Sequence, residues 1–139
     1  MVTIARPRLF DQLKAARTHA AQGNLFDPDC PTRLVLDRIG DKWTVLVVLL
    51  LGDGQMRFSE LRGHLGRVAP KVLTQTLRRM ERDGLVTREI FAEVPPRVNY
   101  ALTDLGQSLI EPIIVLGDWA EINVGRITAA QAAYDARDK

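Results

Sequence analysis

The chain has 139 residues, of which 46% are hydrophobic and 26% are charged, and its formal net charge is +2. This balance predicts one globular domain with a real hydrophobic core. A single Cys excludes a disulfide within the chain, the first twenty residues lack the apolar segment of a secretory signal, and the longest apolar run, residues 45–51, is too short to cross a bilayer. We therefore expect a cytoplasmic protein with no membrane partner.

The N-terminal extension, residues 1–29, is predicted to contain an amphipathic helix. Apolar residues follow Pro7 at helical spacing and form one narrow stripe: Leu9, Leu13, Ala16 and Ala20. Such a helix is not stable alone, because it has one apolar face and nothing to cover it. We expect the extension either to join a dimer interface, through Leu9 and Leu13, or to remain flexible.

Two helices are predicted next. Pro31 suits the first turn of one helix, which would place Cys30 at the N-cap. Leu34, Val35 and Ile39 are its expected buried positions. Residues 42–51 are apolar on nearly every side, which predicts a helix in the centre of the core.

Residues 56–84 have the pattern of a helix-turn-helix. Ser59 is the expected N-cap of a short helix over residues 60–65 and an expected DNA contact at the start of that helix, and Gly66 supplies the turn. Pro70 then begins a second helix, whose core face is formed by Leu73, Leu77 and Met80 at helical spacing. The other face carries hydrogen-bond donors and positive charge: Lys71, Thr74, Gln75 and Arg78, with Arg79 and Arg82 at its flank. Such donors suit both base edges and phosphates, so we predict that this is a DNA recognition helix.

A β-hairpin is predicted to follow the recognition helix. Residues 85–91 and 97–102 are rich in β-branched and aromatic residues, and a loop containing Pro95 and Pro96 joins them. Helix, turn, helix and hairpin in this order predict a mainly α protein with a small β-wing, that is, a winged helix-turn-helix. Arg97, beside the tip, is the expected wing contact with a phosphate or the minor groove; the alternative is a solvent-exposed arginine. Arg88 and Pro96 are predicted to contribute to the same contact.

The charge distribution favours this assignment. Residues 57–97 contain nine basic and five acidic residues, a net charge of +4, whereas the rest of the chain, with ten basic and twelve acidic residues, has a net charge of −2. The positive excess thus lies in the predicted DNA-binding segment, as phosphate neutralisation requires.

A long helix is predicted from residue 104 to about residue 127, bent or split by Pro112. Residues 128–139, which are Ala-rich and polar, are expected to form a C-terminal tail or a frayed end of this helix. The helix has an apolar stripe that can pack on its own domain, on a partner chain, or on both along its length. Its expected dimer contacts are Leu109, Ile113, Leu116 and Trp119.

Several ordered segments resemble the HxlR-type transcriptional regulators, a MarR-like winged-helix group. The matching segments are Cys30-Pro31, residues 40–44 (GDKWT), 57–61 (RFSEL), 71–78 (KVLTQTLR), 83–86 (DGLV) and 94–100 (VPPRVNY), together with Leu102-Thr103 and Trp119. The resemblance covers residues 30–127. It implies a homodimer, held by N- and C-terminal helices, that binds an inverted repeat in double-stranded DNA near a promoter. We expect the protein to act as a repressor.

The chain departs from this family in two places. Family members often carry Ser where Ala69 stands, before the recognition helix, and Ala is a poor N-cap that stabilises a helix by ~1 kcal/mol less. Residues 1–29 also extend beyond the shared region.

The family resemblance also raises the hypothesis that Cys30 senses oxidants or electrophiles. The dipole of the following helix and the nearby Arg33 would stabilise a thiolate, whereas Asp27 and Asp29 would oppose it. The alternative is an inert thiol. A small hydrophobic effector between the dimer helices and the DNA-binding part is a further expectation, and the sequence specifies no such molecule.

Two other classes of function fit the sequence less well. The sequence has no metal-ligand spacing, nucleophile elbow or phosphate-binding loop, so we expect neither an enzyme nor a cofactor. A winged helix that binds proteins instead of DNA would need no basic recognition face, and Lys71, Gln75, Arg78 and Arg97 argue against it.

Overall fold

The computed structural model describes residues 23–137. The predicted N-terminal helix, with Leu9 and Leu13, lies outside this range. The chain divides into two compact units, residues 1–42 and 43–139, which are described separately. None of the helices within the described range is long and apolar enough to span a bilayer.

The described part of the first unit is a turn-rich segment followed by α1 (Thr32–Ile39). The helix begins one residue later than predicted, and Pro31 precedes it with helical dihedral angles, φ −58° and ψ −11°. The prediction that Leu34 and Val35 are buried is wrong, because they are 52% and 57% exposed. Sequence spacing identified an apolar helix face, but burial also requires a second surface packed against that face.

The second unit is built around α2 (Lys42–Leu51), as its apolar sequence predicted. Val47 and Val48 are fully buried. Around them pack the inward side chains of the next helices, chiefly Leu61, Leu73 and Leu77. Burial of such side chains stabilises a fold by about 1.5–3 kcal/mol each, so this cluster fixes the helices that follow.

The helix-turn-helix consists of α3 (Phe58–Leu65) and α4 (Pro70–Arg82). Gly66 lies between them with φ +74°, a conformation that favours glycine. The prediction that Ser59 is the N-cap of the first helix is wrong. The extended residue before the helix is Arg57, whose backbone N–H donates to the Glu60 carboxylate at 3.4 Å. Because a short strand runs directly into α3, the helix begins two residues earlier than predicted.

The wing is a three-stranded antiparallel sheet of β1 (Met56–Arg57), β2 (Val86–Phe91) and β3 (Arg97–Leu102), in the order β1-β3-β2. The two long strands agree with the predicted hairpin to within one residue. The register pairs Val86 with Leu102 and Phe91 with Arg97. β1 was not predicted from the sequence, because two residues show no detectable alternation of apolar and polar side chains.

The C-terminal region consists of α5 (Asp104–Gln107) and α6 (Ile110–Arg137). Thr103 caps α5: its hydroxyl oxygen accepts from the Gly106 N–H at 3.0 Å and its O–H donates to the Gly84 carbonyl at 2.6 Å. A side chain at Gly106 would collide with the backbone carbonyl of Leu85, so the close approach requires glycine. This contact anchors α5 to the base of the wing.

The predicted split near Pro112 is observed, with the break at residues 108–109 and Pro112 in the first turn of α6. A proline there loses no helical hydrogen bond. The expected end near residue 127 is wrong, because α6 continues to Arg137. The added turns are rich in Ala, the best helix former, and contain no Gly or Pro to stop the helix.

Candidate nucleic-acid interface

The recognition helix α4 is held by its inner face. Leu73, Leu77 and Met80 are at most 1% exposed, and Thr76 is buried beside them. The Thr76 hydroxyl donates to the Val72 carbonyl at 2.9 Å, which satisfies the only polar group on that side chain. The core positions predicted from helical spacing are therefore confirmed, and they set the direction of the opposite face.

The outer face of α4 presents the predicted donors to solvent. Lys71, Gln75 and Arg78 are exposed, whereas Thr74 and Arg79 are half-buried. The Thr74 hydroxyl donates to the Pro70 carbonyl at 2.9 Å, so in this state it is engaged with its own helix. Lys71, Gln75 and Arg78 lie within two turns of one another and can act together on a surface that approaches the helix.

The start of α4 lacks a side-chain cap. Ala69 has extended dihedral angles, φ −68° and ψ 141°, as an N-cap residue does, but it offers no acceptor. Pro70 follows at the first helical position, where its fixed φ favours the helix. The free N–H groups at this end remain available to an anion such as a phosphate.

The predicted contact Ser59 lies exposed in the first turn of α3. It lines an open pocket of about 370 Å³. The other lining residues are Phe58, Arg62, Gly63 and Gly66. Arg62 adds a positive charge here that the sequence analysis did not single out, although it had been counted in the basic segment.

Arg97 at the wing tip is held from two sides. Its guanidinium carbon lies 4.3 Å from the centroid of the Phe91 ring, and its Nη2 lies 3.4 Å from Glu93 Oε1. Stacking on an aromatic face and pairing with a carboxylate restrict an arginine that would otherwise be mobile. Pro96, next to it, is exposed. The sequence predicted Arg97 but not Phe91, whose role depends on cross-strand register.

Arg88 does not share the outer face of the wing with Arg97. Positions alternate along β2, so Arg88 shares the side of Val86, which is buried against the core. Its Nε lies 3.7 Å from Glu81 Oε2 on α4. Arg57, on β1, pairs similarly with Glu60 at 3.4 Å.

Cys30, in the first unit, is a half-buried free thiol. Its sulfur lies 3.0 Å from the Thr32 hydroxyl, and the Asn24 N–H donates to it at 3.4 Å. Hydrogen bonds from the Thr32 side chain and from the Asn24 and Thr32 backbones lower the pKa of Cys30, against smaller opposing effects of burial and Asp27. These hydrogen bonds stabilise the thiolate.

Arg33 was expected to act on Cys30, but its guanidinium donates to the carbonyls of Leu25 at 3.0 Å and Phe26 at 3.2 Å. The residues that do act are Thr32 and Asn24. Sequence could not have identified Asn24, because it reaches the sulfur only through a turn of six residues.

The predicted dimer contacts separate into two groups. Ile113 is 4% exposed and belongs to its own core, with Leu109 packed against that core. These two are corrected to intrachain contacts, because the first turn of α6 lies on the domain. Leu116 and Trp119 are 61% and 60% exposed. Farther along α6, large apolar side chains also face solvent: Ile122, Val124, Ile127 and Tyr134.

These features define a class of protein. A helix-turn-helix with a polar, basic outer face, followed by a β-wing with an arginine at its tip, is the architecture of a winged helix-turn-helix DNA-binding regulator. Within residues 23–137, no cluster of His, Cys, Asp and Glu side chains could hold a metal ion.

Comparison with known proteins identifies the family. Residues 38–128 match the family model described as HxlR-like helix-turn-helix, and the chain belongs to this family. It is 41% identical over 110 residues to the HTH-type transcriptional regulator YtfH of Escherichia coli, covering 79% of this chain and 87% of that one. The protein is thus a transcriptional regulator of the helix-turn-helix type.

Solved structures agree with this assignment. The fold is similar to that of the transcriptional regulator ytfH from Salmonella typhimurium, with a TM-score of 0.74 and 40% identity, covering 80% of this chain and 99% of that one. It is also similar to the redox regulator HypR in its oxidised form, with a TM-score of 0.62 and 38% identity, covering 68% of this chain and 97% of that one.

Proposed function

We propose that this regulator binds an inverted repeat in double-stranded DNA as a homodimer and represses transcription by occupying it. The observation that carries the proposal is the outer face of α4. Lys71, Gln75 and Arg78 are exposed directly opposite a face that is almost completely buried. Because its inner face is fixed in the core, α4 can enter the major groove without rearrangement of the protein, with its exposed side chains directed to the base edges.

The proposed contacts follow the fold. Lys71, Thr74, Gln75 and Arg78 face the bases, while Pro70 and Arg79 lie against the backbone at either side. Ser59, at the start of α3, approaches a phosphate. Arg97 and Pro96, at the wing tip, approach the neighbouring groove. Phosphate contacts set the position of the protein, and base contacts provide the specificity.

The exposed apolar surface of α6 supports the homodimer. Trp119 and Ile122, one helical turn apart, are 60% and 78% exposed. Large apolar side chains exposed side by side usually mark an interface with another protein chain. A two-fold axis through this helix would present two copies of α4. Recognition helices of such dimers stand about 34 Å apart, one turn of DNA, which predicts a palindromic site.

The experiment that tests this proposal is the selection of DNA from a random pool by the reduced protein at two salt concentrations. Recovery of one inverted repeat, with affinity that falls steeply as salt rises, would support it. Recovery of unrelated sequences of equal affinity would favour the second candidate, a winged helix that binds proteins.

Oxidation of Cys30 is the proposed regulatory input. The lowered pKa of Cys30 and the likeness to the redox regulator HypR support it. A hydroperoxide would oxidise the thiolate to a sulfenic acid and be reduced to the alcohol. A second thiol would then condense with the sulfenic acid, forming a disulfide and releasing water. Because the chain has one Cys, the second thiol belongs to the partner subunit or to a small molecule.

The consequence for DNA binding would be a population shift. A disulfide that favours one spacing of the two α4 helices changes the affinity for an operator of fixed half-site spacing. A small hydrophobic effector at the dimer helices would act in the same way. Selection repeated with peroxide-treated protein, with Cys30→Ser as the control, tests the redox input, and identical behaviour of treated wild type and variant would contradict it.

A further inference from the structure

The two faces of the wing have different neighbours. Arg97 and Phe91 pair across the strands on the outer face, beside the tip. Arg88 and Tyr100 pair across the same strands on the opposite face, in line with the buried Val86. Arg88 is therefore directed to the side of the sheet on which the recognition helix packs, and not to the side that carries the tip arginine.

Arg88 meets the recognition helix at Glu81, near the end of α4. Its Nε lies 3.7 Å from Glu81 Oε2. Tyr100 lies within the same cluster of charges. Burial has the largest effect on the pKa of Tyr100 and raises it; Arg88 lowers it, Glu81 raises it and Arg78 lowers it, in decreasing order of effect. Strand and helix are thus linked at one point by opposite charges beside a half-buried phenol.

This point lies where the wing leaves the core. Val86 is 2% exposed, whereas Ile90 on the same face is 61% exposed. Beyond Arg88 the hairpin projects into solvent. The ion pair between Arg88 and Glu81 thus joins the wing to α4 at the point where the hairpin leaves the core.

We propose that Arg88 is a positioning residue, which fixes the angle of the wing to the recognition helix through Glu81, and that it is not a DNA ligand. The inference rests on the proposed function, since it concerns how two DNA contacts are held in one arrangement. It changes the role that the sequence suggested for Arg88, a direct phosphate contact.

The energetics favour positioning over stabilisation. The side chains of Arg88 and Glu81 are 42% and 40% exposed, so water and salt screen the pair. Its loss leaves the core untouched. In the proposed complex, however, α4 and the wing tip must contact neighbouring grooves of the DNA simultaneously. If the angle between them changes, the wing tip cannot reach its groove while α4 is in the major groove.

The test compares Arg88→Glu with two double variants that both restore the wild-type net charge. Arg88→Glu/Glu81→Arg rebuilds the pair with its charges exchanged. Arg88→Glu/Glu89→Arg places the new arginine on the neighbouring residue of β2, whose side chain points to the opposite face and cannot reach residue 81. Circular dichroism and thermal melting verify that all three variants fold.

Two readouts are taken on each variant. The first is the orientation of β2 and β3 relative to α4, from backbone residual dipolar couplings without DNA. The second is the ratio of affinities for the selected operator and a scrambled duplex. We expect Arg88→Glu to change the couplings of the hairpin and to lower the ratio roughly tenfold. The exchanged pair should restore both, and the Glu89→Arg double variant should restore neither.

Three results would overturn the inference. Unchanged couplings in Arg88→Glu would mean that the pair does not set the angle. Equal recovery of the affinity ratio in both double variants would mean that net charge, and not the pairing of residues 81 and 88, determines the preference for the operator. An affinity ratio that stays low in both double variants would mean that Arg88 itself contacts the DNA. Failure of wild-type protein to select an operator would count against the proposed function instead, because the couplings test the angle without DNA.

Discussion

The Thr32 hydroxyl is one of the groups that lower the pKa of Cys30. The Thr32 side chain is the largest contribution to the lowered pKa of this thiol, and it lies 3.0 Å from the sulfur. Its effect depends on its geometry, because a hydroxyl one residue farther along a helix would point away.

We expect Thr32→Val to raise the pKa of Cys30, because valine has nearly the shape of threonine but cannot donate to a thiolate. The measurement is the rate of alkylation by iodoacetamide as a function of pH, whose midpoint should move to higher pH. Thr32→Ser keeps the hydroxyl and is the control. An unchanged midpoint in Thr32→Val would show that the backbone donors act alone.

Tyr100 gives a prediction for stability against pH. Burial raises the pKa of Tyr100 above its ordinary value of 10.0. The unfolded chain therefore loses this proton at a lower pH than the folded chain, so the stability from the buried phenol is complete below pH 10 and is lost as pH rises through the folded pKa.

We accordingly expect the free energy of unfolding to fall above pH 10, and Tyr100→Phe to remove part of this fall. Urea denaturation at successive pH values measures it. Equal slopes for wild type and Tyr100→Phe would contradict the assigned burial effect.

Among the helices and strands, α4 has a well-packed inner face but no side-chain cap at its N-terminus. Ala69 has the backbone of an N-cap and no acceptor. The helix is then held by Pro70 and by its core side chains. Such a site should accept an improved cap without other change, because its dihedral angles are already suitable.

Ala69→Thr should therefore raise the free energy of unfolding by about 0.5–1 kcal/mol, because a free N–H of the first turn can donate a hydrogen bond to the threonine oxygen. Chemical denaturation measures the change. Ala69→Val has the same shape without the acceptor and should not stabilise. Equal stability of the two variants would mean that no cap forms.

The sequence predicted the elements with strong periodicity well. The core face of α4 and both long strands were predicted, because burial on one side imposes a repeat that the residues themselves display. The two-residue β1 was missed, and with it the true start of α3. The end of α6 was also missed, since a polar, Ala-rich segment is compatible with either a helix or a tail.

The sequence predicted which residues form the candidate site, but it did not predict which side chains contact one another there. Lys71, Gln75 and Arg78 follow from the helix pattern alone. Glu81 as the partner of Arg88, and Phe91 as the support of Arg97, depend on the packing of strand on helix and on cross-strand register. Spacing along the chain does not contain that information, because these partners are brought together by the fold.

At the scale of the whole molecule, the part of α6 that follows Ile113 exposes large apolar side chains to solvent. Trp119 and Ile122 are exposed at helical spacing. If they form the proposed dimer interface, a charge placed among them should disrupt it, because an unpaired carboxylate in an apolar interface is costly.

We expect Trp119→Glu to be a monomer and to lose operator binding, since a single half-site provides only part of the contacts. Analytical ultracentrifugation measures the mass in solution. Ile90→Glu, a similar change at an exposed apolar position of the wing, should remain a dimer. A dimeric Trp119→Glu variant would place the interface elsewhere.

The central claim is that the outer face of α4 distinguishes one DNA sequence from another, and Gln75→Ala tests it most directly. This change removes a donor and an acceptor without changing charge, so attraction to phosphates is preserved. The measurement is the affinity of wild type and variant for the selected operator and for a scrambled duplex, at one salt concentration. The account predicts that affinity for the operator falls by about 1–3 kcal/mol per recognition helix while affinity for the scrambled duplex is unchanged. Equal affinities of variant and wild type for the operator would show that α4 does not contact the bases through this face.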